Sequence, residues 1–88
     1  MKIRKGFILR RVMGQAIVVA TGEASQQFKG MIKLNQTAAD IWSWLAAGLS
    51  EEETAKQLAE KYQISPEKAA DDVSKLIGQM NANGIFEQ

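Results

Sequence analysis

The sequence predicts an α+β fold: a three-stranded antiparallel sheet followed by three helices, in the order β-β-β-α-α-α. Three observations carry that reading. Two apolar, β-branched runs flank Gly14-Gln15 near the N-terminus, which is a hairpin signal. A short apolar run, Met31 to Leu34, meets a helix signal at Asn35 with no room for a loop. Beyond it, three cap signatures each precede apolar residues at helical spacing. At 88 residues the chain, 1–88, is expected to form one domain, near the lower end of what folds alone.

The first two strands are "GFILRRV" (6–12) and "AIVVAT" (16–21). Gly22 to Gly30 is polar, with Phe28 embedded in it, and reads as a connection. Met31 to Leu34 is the third strand, short even for a strand. Asn35 caps the first helix, where Ala38, Ile41, Trp42 and Leu45 form one buried stripe, and Gly48 ends it. Trp42 is therefore a core residue. Trp44, about 200° around the helix from it, is either at the core's periphery or an exposed contact.

The second helix starts at "SEEE", where Ser50 and Glu53 make a capping box and three acids suit the positive end of the helix dipole. Ala55, Leu58, Ala59 and Tyr62 are its inner face. The third opens at "SPEK", with Ser65 as cap and Pro66 at the first helical position. Ala69, Val73, Leu76, Ile77 and Met80 are its stripe, and Gly84 marks its end. Met31 and Met80 are both expected to pack into the core. "IFEQ" adds a last short extended piece. Helices two and three, separated by "QIS", outline a helix-turn-helix with a hairpin attached, a winged-helix-like arrangement.

Composition narrows the function. With 45% hydrophobic residues, 24% charged residues and one proline, the chain reads as soluble and globular. No apolar run reaches the roughly 18 residues of a membrane span. Arg10 and Arg11 break the apolar part of the basic N-terminus, which makes a poor signal peptide, so a cytoplasmic location and no membrane partner are expected. Cysteine and histidine are both absent. That leaves no disulfide, no thiolate site, no cysteine nucleophile, and neither the commonest general base nor the commonest zinc ligand. No metal and no cofactor are expected. Most of the acids sit at helix N-termini or on solvent faces, Asp71 and Asp72 point about 100° apart, and no glycine-rich phosphate loop occurs. No catalytic residue is nominated, and the chain is not expected to be an enzyme.

Charge is unevenly spread. Residues 1–34 hold seven cations against Glu23, a net +6, and residues 35–88 hold four lysines against nine acids, a net −5. The two-faced charge suits either attraction between the halves or steering of a partner. The helix-turn-helix outline raises a DNA-binding regulator as the alternative. The reading helix would carry Glu67, Lys68, Asp71, Asp72 and Lys75, a net −1, which repels phosphate. No nucleic acid is expected as a partner. A surface that binds protein remains, and because exposed edges also dimerise, a weak homodimer is a further reading.

Three segments carry a family resemblance: "KGFILRRVMGQAIVVATGE", "FKGMIKLNQTAADIW" and "LSEEETAKQLAEKYQISPEKAADDVSKLIGQMNANGIFE". Together they resemble the coenzyme PQQ synthesis protein D family and its broader relatives, the precursor-peptide recognition elements of peptide natural-product pathways. The most telling pieces are F-x-G-x-I-x-L-N-x-T-A-x-x-I-W and the closing D-V-x-x-x-I-x-x-M-x-x-x-G-I. The resemblance implies a non-catalytic peptide chaperone of winged-helix-like fold. It would bind the leader segment of a ribosomally made precursor peptide and deliver it to a separate modifying enzyme, such as a radical SAM protein, a cyclase or a leader protease. The implied site is the third strand, Met31, Ile32, Lys33 and Leu34, approached through Lys29 and Gly30. Its other wall is the third helix, with Asp72, Lys75, Leu76, Gln79 and Met80. Lys29 and Lys33 would attract acidic leader residues, and Asp72 and Lys75 would choose among polar ones.

Overall fold

The computed structural model describes residues 2–27 and 30–87. Strands β1 (Phe7–Val12) and β2 (Gln15–Ala20) are joined by Met13 and Gly14, whose φ angles are 53° and 79°. Two consecutive left-handed residues make the primed turn whose twist matches that of the flanking strands. Glycine adopts that conformation freely, whereas Met13 costs about 1 kcal/mol there. Strand β3 (Met31–Leu34) pairs antiparallel with β2, so the sheet order is β1-β2-β3.

Alternation along the strands sorts the side chains onto two faces. Phe7, Leu9, Ala16, Val18, Ile32 and Leu34 face inward and join the core or pack against it. Met31 falls on the opposite face and is 57% exposed, which corrects the expectation that it packs in the core. Its neighbours explain the reversal: Ile32 and Leu34 take the two inward positions of a four-residue strand.

The connection before β3 contains a short helical turn, α1 (Ala24–Gln27), which is a correction to the sequence reading. Gly22, at φ 59°, bends the chain, and its carbonyl accepts bonds from Ser25 Oγ (2.6 Å) and Ser25 N–H (3.2 Å). Ala24 is buried against Gly6, where a Cβ would stand 2.9 Å from the alanine methyl and 2.7 Å from the Thr21 carbonyl oxygen. Only glycine fits that approach.

Three longer helices follow: α2 (Gln36–Ala46), α3 (Glu51–Tyr62) and α4 (Pro66–Ala82). Each begins at its expected cap. Asn35 Oδ1 accepts from Ala38 N–H at 2.8 Å, Ser50 and Glu53 bond reciprocally at 3.1 and 2.9 Å, and Ser65 Oγ accepts from Lys68 N–H at 3.1 Å. Each cap satisfies a donor that the helix start leaves orphaned, worth about 1 kcal/mol.

One core joins the inner sheet face to all three long helices through Ile41, Trp42, Leu45, Leu58, Val73 and Met80. On α2 the fully buried alanine is Ala39, while Ala38 is half-buried. On α3, Thr54 is completely buried, and its hydroxyl has no hydrogen-bond partner among the described residues. Trp44 is half-buried at the rim, under the Lys61 ammonium at 5.9 Å from its ring centre. The last extended piece pairs with the N-terminal arm rather than the sheet. Arg4 N–H bonds the Ile85 carbonyl at 2.8 Å and Glu87 N–H bonds the Lys2 carbonyl at 2.7 Å, while Ile85 and Phe86 are buried.

Asp40 ties the elements together. Lys61 Nζ (2.8 Å) and the Tyr62 hydroxyl both donate to its Oδ2, and Gln36 Nε2 donates to Oδ1 at 3.2 Å. Gln36 in turn accepts from Arg11 Nη1 of β1 at 3.4 Å. Burial raises the Asp40 carboxyl, but bonds from Lys61, Tyr62 and Gln36 outweigh it and hold the pKa below the ordinary carboxylate value.

Candidate functional site at the free edge of the sheet

β2 is the central strand, so one edge of β3 has no strand beside it among the described residues. Which backbone groups that edge presents follows from the hairpin. A two-residue primed turn closes on a hydrogen-bonded pair, here Val12 and Gln15. Gln15 therefore directs its N–H and C=O toward β1, and its neighbour Ala16 directs them toward β3. The pairing continues without a bulge, Ala16 opposite Leu34 and Val18 opposite Ile32. Leu34 and Ile32 thus bond to β2. Met31 and Lys33 turn their N–H and C=O outward. The free edge offers two donors and two acceptors, one of each from either residue.

One of these two residues also carries a cation, on the outer face of the sheet. Lys33 is exposed and has no ion-pair partner among the described residues. A four-residue edge bearing a lysine resists indiscriminate pairing with other edges. Gly30, also exposed, immediately precedes it. Lys29 lies outside the described residues.

Immediately after Leu34 a groove of about 270 Å³ opens between the start of α2 and the side of α4. Asn35, Thr37, Ala38 and Ile41 form one wall, and Lys68, Asp72, Lys75 and Leu76 form the other. Capping puts Asn35 there: the residue that stops the strand also starts the helix bounding the groove. The expected residues Asp72, Lys75 and Leu76 come together in this wall. Gln79 and Met80 do not line it. Gln79 is exposed one turn further on, and Met80 is buried in the core behind the wall. The α2 wall and Lys68 escaped the sequence reading. The spacing of Lys68, Asp72 and Lys75 along one helical face is the signal that could have found Lys68.

The charges on this wall are internally paired. Lys68 Nζ meets Asp72 Oδ1 at 2.7 Å, and Lys75 Nζ meets Asp71 Oδ2 at 2.9 Å. The Lys75 hydrogen bond holds the Asp71 carboxyl below its usual value, and Asp71 in turn raises the Lys75 ammonium. These pairs are exposed and stabilise the helix little. Their chemical use is exchange: a guest carboxylate or ammonium can replace one partner without stranding a buried charge.

A larger hollow of about 820 Å³ lies between α3 and the start of α4. Ala55, Ala59, Ala70 and Pro66 line it beside Glu51, Glu52 and Glu60, and no residue of the sheet takes part. No group of three or more His, Cys, Asp or Glu side chains is placed to hold a metal ion among the described residues. Among them, no helix is long and apolar enough to cross a membrane.

Comparison with known proteins gives a family and a fold. The family model for coenzyme PQQ synthesis protein D (PqqD) matches residues 7–85. TbiB1 in complex with the TbiA(beta) leader peptide has a similar structure, with a TM-score of 0.80 at 16% identity, covering 99% of this chain and 95% of that one. Lasso peptide synthetase B1 complexed with the leader peptide gives a TM-score of 0.79 at 22% identity, over 98% of this chain and 95% of the other. At such identities the likeness establishes a shared fold. No individually curated protein sequence matches the chain.

Proposed function

The chain belongs to the coenzyme PQQ synthesis protein D family, and from that premise we propose that it is a non-catalytic peptide chaperone. It binds the leader segment of a ribosomally made precursor peptide and delivers it to a separate modifying enzyme, such as a radical SAM protein, a cyclase or a leader protease. The observation that carries the reading is the free edge of β3, with the outward backbone groups of Met31 and Lys33, which leads through Leu34 to the groove that starts at Asn35. The two similar structures, both of proteins bound to leader peptides, support it.

The mechanism is strand addition. A guest strand bonds to the N–H and C=O of Met31 and Lys33, which gives affinity that tolerates sequence variation. Its alternate side chains point to opposite faces of the sheet. Those on the inner face run into the groove against Leu76 and Ile41, with Asp72 and Lys75 meeting polar residues at its mouth. Lys33, with Lys29 before it, attracts leader carboxylates. The alternative of a DNA-binding regulator loses ground on α4, whose acids and lysines neutralise one another rather than offering cations to phosphate.

Titrating isotope-labelled protein with synthetic candidate leader peptides tests the proposal. Amide shifts should concentrate at 30–34 and along α4 from Asp72 to Met80. Shifts confined to the β1–β2 hairpin at saturating peptide would contradict it.

A further inference from the structure

The outer face of the sheet is not used by the groove, and the three long helices all pack on the other side. Three rows of side chains cross it. Ile8, Val19 and Met31 form an aliphatic row, Arg10, Ile17 and Lys33 form the next, and Val12 and Gln15 close it beside the hairpin turn. Ile8 is 41% exposed, Val12 50% and Met31 57%, while Ile17 and Val19 are half-buried. None of these five aliphatic residues belongs to the core. Adjoining apolar side chains left exposed on a small protein mark a contact surface.

The charge on this face has one sign. No acid occupies an outward position on the three strands, and neither Arg10 nor Lys33 has an ion-pair partner among the described residues. The two cations sit on the two edge strands in one row, on either side of Ile17. Two strand spacings separate them, about 10 Å. That is about the width of an α-helix.

We infer that this face docks an amphipathic helix of a partner protein, lying along β2, with an aliphatic stripe on Ile17 and Val19 and carboxylates on both flanks. The Arg10 side receives one row of acids and the Lys33 side the other. The choice of partner, a helix of the modifying enzyme, rests on the reading of the chain as a peptide chaperone; the docking chemistry does not. The two are adjacent. Outward side chains of a strand added to β3 continue the rows ending at Met31 and Lys33, so a helix on this face would lie beside the peptide being delivered.

The test uses the full chain and two synthetic helices, one with a leucine stripe flanked by glutamates and one with the same stripe flanked by lysines. Methyl resonances of Ile8, Ile17 and Val19 should shift with the glutamate helix and return as salt is raised. Reversing both charges, Arg10→Glu with Lys33→Glu, should weaken the glutamate helix by about tenfold or more and let the lysine helix bind instead. This gain of binding shows that the variant is folded. Equal binding of both helices to the unaltered chain, or unmoved methyls at millimolar peptide, would overturn the inference. So would capture by phosphatidylglycerol vesicles without response to either helix, or a dimer in sedimentation that buries this face. Leader binding is read separately, at the Met31 and Lys33 amides and along α4, so either proposal can fail while the other stands.

Discussion

The sheet has two edge strands, and they are built differently. β1 is six residues long and carries adjacent arginines, Arg10 on the outer face and Arg11 tied to Gln36 of α2. β3 is four residues long, carries one lysine and ends at a groove. By the same alternation, Leu9 and Arg11 present the free backbone groups of β1, as Met31 and Lys33 do for β3. Both edges therefore offer hydrogen bonds. They differ in what adjoins them: β3 runs straight into Asn35, where the groove between α2 and α4 begins, whereas the hollow at the start of β1 lies between Phe7 and the end of α2. On the proposed reading, the β3 edge takes the peptide because it leads into the groove walled by α2 and α4, and an open edge alone would not be enough.

The largest expected effect separates the two edges. Lys33→Pro removes one outward donor and the edge cation, and should weaken leader binding by about tenfold or more while the chain stays folded. Arg11→Pro removes an outward donor from the other edge and should leave leader binding within about twofold. Ile32→Pro differs from both, because its N–H bonds to β2, and should show loss of structure by circular dichroism. If Arg11→Pro abolished binding and Lys33→Pro did not, the roles of the edges would be reversed.

A smaller effect concerns the frame that holds β1, α2 and α3 in register. Asp40→Ala should lower unfolding stability by about 1–2 kcal/mol in a urea melt, since it removes hydrogen bonds to a charged, largely buried acceptor. The Asp40 pKa is lowered in the folded state. Its contribution is therefore complete above the ordinary carboxylate value near 4 and is lost as pH falls through the folded-state pKa. The variant should lack that part of the acid sensitivity, and equal acid slopes in both proteins would count against the network.

The smallest effect should be a gain. Thr54→Val replaces a buried hydroxyl that has no partner among the described residues by a methyl of similar shape, and should stabilise the fold by up to about 1 kcal/mol. A loss of stability would show that the hydroxyl is bonded in solution.

Much of this architecture was open to reading from residues alone. Asn35, Ser50 and Ser65 cap the helices that their side-chain chemistry announces, and the stripes of α2 and α4 follow helical spacing. The family segments also pointed to β3 and α4. What escaped has physical reasons. α1 spans four residues, too few for any periodicity, and rests on a Gly22 turn and an Ala24–Gly6 contact that only the folded chain brings together. Thr54 is buried by its place between helices, against its polar type. Which amides of β3 face outward is not written in β3. That parity is set at the Met13-Gly14 turn and passed across β2, so it required the register of the whole sheet.

Amide hydrogen exchange resolves that parity directly and tests the central claim. In the free protein, Ile32 and Leu34 should be protected while Met31 and Lys33 exchange fast. Saturating leader peptide should protect Met31 and Lys33 and leave Leu9 and Arg11 on the opposite edge unchanged. Protection appearing at Leu9 and Arg11, or peptide binding that leaves Met31 and Lys33 exchanging fast, would contradict strand addition at β3.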